Sequence, residues 1–160
     1  MGYWLAARYE SEQGDGMWLP NYLRMRYDLH RCQTATAQLE KDRPPNTRDA
    51  YESGQIAEYV KESNSLFEWR HLILTRYWQS KADGLGVPMP PMADKSFWDR
   101  ADFDNDESQP PYLTEAGILE IRKAIREEHK YRRETFGFWV MLIVGLIGAL
   151  SGLASVLKLG

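Results

Sequence analysis

Apolar side chains recur at steps of three and four residues over two stretches of the chain, which is the spacing of amphipathic helices. The first predicted helix covers 21–41. The second covers 48–83, with Thr47 as its N-cap and Gly54 as a weak point near its start. Because the connection between them is short and contains two prolines, we expect an antiparallel helical hairpin. The apolar positions that carry the pattern are Tyr22, Met25, Leu29, Cys32 and Leu39 in the first helix, and Ile56, Tyr59, Val60, Leu66, Phe67, Ile73, Leu74 and Tyr77 in the second.

A long break follows the hairpin over 84–113, where glycine and proline are frequent and an acidic run occurs. The Gly84-Leu-Gly86 sequence is interpreted as a helix C-terminal stop. The break is predicted to be a loop that packs across the hairpin, and 1–113 are predicted to form one helical domain. The side chains expected to make this contact are Val87, Met89, Met92, Phe97 and Trp98.

A third helix is predicted to begin after Thr114, whose hydroxyl suits an N-cap position. Its charged part covers 114–135, and no proline separates it from the apolar run at 136–157. That run contains 22 residues and no charge, which gives a length of about 33 Å at about 1.5 Å per residue. The predicted fold is therefore all-α: an antiparallel hairpin with a third long helix that continues into a single C-terminal transmembrane helix.

The charge distribution predicts an orientation for that helix. Every Asp and Glu, and every Lys and Arg except Lys158, lies before residue 136. Under the positive-inside rule, Lys130, Arg132 and Arg133 place the N-terminal domain in the cytoplasm, and Trp139 lies at the boundary with the headgroups. The expected localisation is a single-pass protein of a membrane, with the lipid bilayer as a partner. The net charge of −3 argues against nucleic acid as a partner.

Small residues share one face of the apolar run. Gly145, Gly148, Ala149, Gly152 and Ser155 recur at helical spacing, and small side chains let two helices approach closely. This face predicts membrane-helix contacts and a homo-oligomer. The aromatic side chains of the hairpin predict a second contact, with a protein partner.

The sequence predicts no catalytic, cofactor-binding or metal-binding residue. Cys32 lies on an apolar stripe, and His30 points elsewhere because it is two residues away on a helix. Three aspartates of the acidic run resemble a calcium loop, but the required glycine and glutamate positions hold Glu107 and Leu113. These aspartates are Asp102, Asp104 and Asp106.

Three stretches near the C-terminus carry a resemblance to known proteins: Leu113–Gly117, Ile121–Glu127 and Arg132–Glu134, followed directly by the apolar run. Together they resemble a loose group of bacterial single-pass membrane proteins with a C-terminal anchor. The resemblance implies a bacterial inner-membrane setting and no particular activity.

Two functions remain open from the sequence. The leading hypothesis is a non-enzymatic, C-terminally anchored scaffold or adaptor that self-associates or recruits a protein partner at the cytoplasmic face. The alternative is a homo-oligomeric pore, or membrane-disrupting effector, that its cytoplasmic domain gates.

Overall fold

The computed structural model describes the backbone of residues 19–101 and 110–158, and the side chains of 19–101 and 110–148. Within these ranges the chain is mostly helical, as predicted, with one small antiparallel sheet that was not predicted. It divides into two units, one ending at Ile121 and one beginning at Arg122. The elements in chain order are α1 (Asn21–Lys41), α2 (Arg48–Glu52), α3 (Gln55–Leu85), β1 (Trp98–Arg100), β2 (Pro111–Leu113) and α4 (Glu115–Lys158).

Helices α1 and α3 form the antiparallel hairpin that the short connection predicted. The contacts between them pair increasing residue numbers in α1 with decreasing residue numbers in α3, as expected of antiparallel helices. The Asn21 amide donates to the Ser80 hydroxyl at 2.6 Å, and the Cys32 thiol donates to the Leu66 carbonyl at 3.5 Å. At the connecting end, the Tyr59 hydroxyl donates to a Glu40 carboxylate oxygen at 2.7 Å.

The predicted second helix is divided in two. Gly54 adopts a φ of +79°, a left-handed conformation that interrupts the helix and separates α2 from α3. The predicted cap is confirmed, because the Thr47 hydroxyl accepts the Ala50 N–H at 3.4 Å. The predicted stop is also confirmed, because Gly86 adopts a left-handed φ of +70°. The Gly86 N–H donates to the Asp83 carbonyl, and the Val87 N–H donates to the Ala82 carbonyl.

The region predicted as an irregular loop contains the two strands. Trp98 pairs with Leu113, and Arg100 pairs with Pro111, in antiparallel register. The Trp98 indole is buried and donates to the Pro90 carbonyl at 3.0 Å, which holds the proline-rich segment against the sheet. Of the loop side chains expected to pack inward, Val87 and Trp98 are buried, Met89 and Phe97 are half-buried, and Met92 is exposed.

The first turn of α4 lies close to the backbone that precedes β1. The Thr114 hydroxyl accepts the Gly117 N–H at 3.2 Å, which confirms the predicted cap, and it donates to the Ser96 carbonyl at 2.7 Å. Gly117 is buried, and a Cβ atom there would collide with the Phe97 carbonyl oxygen and lie 2.9 Å from Leu113 Cδ2. Glycine at this position therefore allows α4 to approach the strand entrance.

The C-terminal segment requires a correction. Helix α4 continues without a break to Lys158, but no helix in the described ranges combines the length and the apolar composition needed to cross a membrane. This finding contradicts the predicted single-pass localisation and leaves the transmembrane helix at 136–157 unsupported.

The close approach at Gly117 generates a stability prediction. Gly117→Ala should lower the free energy of unfolding by about 1–3 kcal/mol, because backbone and a buried leucine must move to admit the methyl group. Gly84→Ala is the matched control: it lies in α3 with nothing within 4 Å of its added Cβ. It should leave stability unchanged or raise it by about 0.5–1 kcal/mol. Urea unfolding measures both, and equal effects of the two substitutions would contradict the packing argument.

Candidate interaction surfaces

A buried threonine joins the loop to the hairpin. The Thr75 hydroxyl donates to the His71 carbonyl at 2.8 Å and accepts the Leu113 N–H at 2.8 Å. All three residues are buried, and Leu113 has no exposed surface. Because a buried N–H without a partner is costly, this contact fixes where β2 lies along α3.

The rings of Phe67, His71 and Tyr112 contact one another beside this hydrogen bond. The His71 ring lies 4.2 Å from the Phe67 ring and 5.4 Å from the Tyr112 ring, centroid to centroid. His71 Nδ1 must carry the proton, since it donates to the Phe67 carbonyl at 3.0 Å. The Tyr112 hydroxyl donates to Asp99 at 3.2 Å. Burial, with the nearby Asp99 carboxylate, raises the pKa of Tyr112 to about 12.

Cys32 is a packing residue, as predicted. Its side chain is 2% exposed, and its thiol donates to the Leu66 carbonyl. Burial raises the pKa of the thiol, against smaller opposing effects of Arg70 and Thr36. The protonated form is therefore favoured, and the side chain contributes to the contact between α1 and α3.

A large concave surface lies at the connecting end of the hairpin. This groove has a volume of about 860 Å³ and runs between one face of α1, one face of α3 and the prolines of the turn. The volume is within the range of binding pockets, and the lining is mainly apolar. A cleft at the other end of the hairpin, beside Asn21 and Ser80, measures only about 140 Å³. We call the larger one the hairpin groove; its lining includes Ala35, Leu39, Asp42, Pro44, Pro45, Glu58, Tyr59, Glu62 and Leu66.

One edge of the hairpin groove carries a three-residue polar cluster. Glu40 accepts from Tyr59 at 2.7 Å and from Arg43 at 3.2 Å, and the Arg43 guanidinium lies 5.8 Å from the Tyr59 ring centroid. The pKa of Glu40 is lowered mainly by the hydrogen bond from Tyr59 and to a smaller extent by the hydrogen bond from Arg43. The hydrogen bond between Tyr59 and Glu40 also raises the pKa of Tyr59. Because Glu40 and Arg43 are well exposed, the cluster orients Tyr59 more than it stabilises the fold.

The α3 wall of the hairpin groove carries two carboxylates one turn apart, Glu58 and Glu62. Like charges at this spacing destabilise a helix by a few tenths of a kcal/mol. Among the described residues, none forms a hydrogen bond or ion pair with either carboxylate. Lys41 and Arg43 are the cations of the lining, and Arg43 is bound to Glu40. The wall therefore presents negative charge beside an apolar floor.

The second unit carries the opposite charge. Helix α4 exposes five basic side chains that fall within an arc of about 100° at about 3.6 residues per turn. We call this the basic face; its residues are Arg122, Lys123, Arg126, Lys130 and Arg133.

The residues predicted to contact headgroups are all exposed on α4. Lys130 pairs with Glu134 at 3.8 Å, and Arg132 pairs with Glu128 at 2.6 Å. Trp139 lies against Phe138, with ring centroids 6.2 Å apart. These side chains form contacts on the helix surface, and their headgroup role stays a prediction.

The predicted small-residue face is described only in part. Gly145 and Gly148 lie on α4, and an added Cβ at either would meet open space. Ala149, Gly152 and Ser155 lie beyond the residues whose side chains the structure describes, and the calcium-like aspartates at 102–106 lie outside the described residues altogether. In the described ranges, no group of three His, Cys, Asp or Glu side chains has a metal-binding arrangement.

Comparison of the chain with protein-family models, with curated proteins and with solved structures finds no match in any of the three. The resemblance to bacterial membrane proteins therefore stays a prediction.

Sequence reasoning missed the hairpin groove and the basic face. The sequence carries a signal for the groove near the turn. Leu39 lies at the end of the apolar stripe of α1, Asp42 directly follows α1, and Glu58 and Glu62 flank the apolar stripe of α3. Of the residues of the basic face, only Lys130 and Arg133 carry a sequence prediction, that of membrane topology.

The buried hydroxyl predicts a measurable loss of stability. Thr75→Val keeps the shape but leaves the Leu113 N–H unpaired, so the free energy of unfolding should fall by about 1–3 kcal/mol. Thr34→Val is the control, because that exposed hydroxyl donates only to the His30 carbonyl of its own helix. Its effect should stay below about 0.5 kcal/mol. Urea unfolding measures the free energy of unfolding of both variants. If Thr75→Val loses as little stability as Thr34→Val, the Thr75 hydroxyl does not fix the position of β2.

The raised pKa of Tyr112 predicts a loss of stability at high pH. The phenol ionises near pH 10 in the unfolded chain and near 12 in the folded one. The contribution of the Tyr112 phenol to the free energy of unfolding is therefore complete below about pH 10 and declines as the pH rises toward 12. Denaturant unfolding at pH 9 and pH 11 should show a smaller decline for Tyr112→Phe than for the parent chain. Tyr51→Phe, at an exposed ring, should follow the parent; a decline in Tyr112→Phe equal to the parent's would contradict the assignment.

Proposed function

We propose that this chain is a non-enzymatic scaffold that self-associates through the C-terminal part of α4 and offers its helical hairpin to a protein partner. The observation that carries the proposal is the exposure of large apolar side chains along α4. Between Phe136 and Ile147, ten of them are 44–76% exposed.

An apolar surface of this extent is unusual for a chain that acts alone. Contiguous exposed apolar patches above a few hundred Å² mark interaction sites. The ten side chains occupy nearly consecutive positions, so they point to every side of the helix. One neighbouring helix covers only part of them, which favours an assembly of several copies.

The glycines of this segment support helix-to-helix contact. Gly145 and Gly148 are one turn apart, and neither has a neighbour within 4 Å of an added Cβ. The distance between packed helices depends on the side chains at the contact, and glycine permits a close approach. A second copy of α4 is the occupant that this open space favours.

The hairpin supports the second half of the proposal. Leu23 and Tyr27 follow each other one turn apart on α1, and both are about half exposed, as is the neighbouring Tyr22. The Arg31 guanidinium lies 5.7 Å from the Tyr27 ring centroid. Tyrosine and arginine contribute strongly to protein interfaces. This surface is suited to a protein partner.

The alternative function, a homo-oligomeric pore or membrane-disrupting effector, stays a prediction. The scaffold needs only an apolar surface that another chain covers.

The test is the mass of the purified full-length chain in a mild non-ionic detergent, measured by light scattering after size exclusion. We expect a multimer in 500 mM NaCl, since apolar contacts do not weaken with salt. Gly148→Leu should reduce the mass to that of a monomer, because its side chain separates the helices. Gly148→Ala should keep the multimer, as alanine is small and both substitutions have similar helix propensity.

Two results would contradict the proposal. One is a monomeric parent chain at every protein concentration tested. The other is a multimer that tolerates Gly148→Leu as well as Gly148→Ala.

A further inference from the structure

We propose that the hairpin pairs with the hairpin of a second copy through an apolar stripe on α3, in an antiparallel arrangement about Phe67. This inference rests on the proposed function and deepens it, because it names the protein partner of the hairpin as a neighbouring copy in the same assembly. Three observations carry it: the exposure of the stripe, the symmetric order of its residues, and the charges beside it.

The stripe occupies a narrow face of α3. Its five apolar side chains fall within an arc of about 40° at about 3.6 residues per turn. Val60 is 48% exposed and Phe67 is 54% exposed, and the other three side chains are half-buried. A narrow apolar stripe of this kind is the seam through which one helix packs against another. We call this surface the α3 stripe; its residues are Ile56, Val60, Phe67, Leu74 and Trp78.

The order of residues in the α3 stripe is symmetric about Phe67. Val60 and Leu74 lie seven residues before and after it, and Ile56 and Trp78 lie eleven residues before and after it. When two copies of α3 lie antiparallel with Phe67 on a two-fold axis, Val60 comes level with the partner's Leu74. In the same way, Ile56 comes level with the partner's Trp78. Each apolar side chain therefore meets an apolar side chain, and one surface serves both copies, as two-fold symmetry requires.

The charges beside the α3 stripe favour the antiparallel direction. Arg70 and Lys81 fall within about 60° of its centre, and no Asp or Glu of α3 falls within that arc. A parallel pair in register would place each of these cations against its own copy, which is unfavourable. In the antiparallel pair, Arg70 comes level with the partner's Asn64, and Lys81 comes level with the turn before α3. The Lys81 ammonium also lies over the rings of its own Tyr77 and Trp78, at 5.8 and 5.2 Å from their centroids.

The size of the α3 stripe determines when the hairpins pair. Five side chains, three of them already half-buried, form a smaller surface than the roughly 20–30 residues a side of a stable interface. Copies that α4 already holds together meet at a much higher effective concentration. The hairpins should therefore pair inside the assembly and separate when the assembly is broken by Gly148→Leu.

Disulfide cross-linking of the full-length chain tests the arrangement. Val60→Cys and Leu74→Cys are made separately, each with Cys32→Ala, so that the new thiol is the only one in the chain. The two variants are mixed, equilibrated and oxidised with copper phenanthroline in the detergent and salt of the mass measurement. One carries a larger tag, so that the heterodimer has its own mobility on a non-reducing gel.

The expected product is the heterodimer, because the two cysteines come level in the antiparallel pair and a disulfide requires Cα atoms within about 7 Å. Each variant oxidised alone should form little dimer. Equal positions at 60, or at 74, lie about 21 Å apart along the antiparallel pair. Before oxidation, both variants should keep the mass of the parent multimer.

Ala57→Cys mixed with Gln79→Cys, in the same Cys32→Ala background, is the matched control. Both positions are exposed and come to nearly the same height, but they lie about 80–120° around α3 from the centre of the stripe. This mixture should form several times less heterodimer than the stripe mixture. Adding Gly148→Leu to the stripe variants should abolish their heterodimer, whereas Gly148→Ala should keep it.

The inference is overturned if the control mixture forms as much heterodimer as the stripe mixture. It is also overturned if each stripe variant cross-links to itself as readily as to the other, which indicates a parallel pair. The proposed function fails differently, by a parent chain that is monomeric. A multimer whose stripe cysteines stay unlinked would retain the scaffold and reject the pairing of hairpins.

Discussion

The hydrogen bond between the Thr75 hydroxyl and the Leu113 N–H is the contact on which the first unit depends. It is buried, and it joins the middle of α3 to the strand that leads into α4. An unpaired N–H at this depth would cost more than an average hydrogen bond contributes. Since β2 pairs with β1, one hydroxyl sets the position of both strands and of the α4 start.

This fixed frame explains how a small hairpin presents defined surfaces. The sheet and the tilted rings of His71 and Tyr112 cover one side of α3. The N-terminal turns of α3 line the hairpin groove. The Tyr59–Glu40–Arg43 cluster orients the Tyr59 ring at that edge. The second unit carries the basic face and the exposed apolar side chains of α4.

The sequence predicted the elements that depend on local signals. Helix α1, the Thr47 and Thr114 caps and the Gly86 stop all follow from periodicity and capping chemistry, which act within a few residues. The strands were missed because each has three residues and their pairing joins positions across the acidic run. The hairpin groove was missed for the same reason, since it needs two helices in register. The membrane prediction relied on the length of an uncharged run, and the finding on the described helices contradicts it.

Hydrogen exchange at the Leu113 amide tests the central claim most directly. If the Thr75 hydroxyl anchors the sheet to α3, this amide should be protected to within about 1 kcal/mol of the most protected amides of α3. In Thr75→Val, its protection should fall while that of the Cys32 region, on the far side of the hairpin contact, stays close to the global value. Exchange of the Leu113 amide at the rate of an exposed loop in the parent chain would contradict the account.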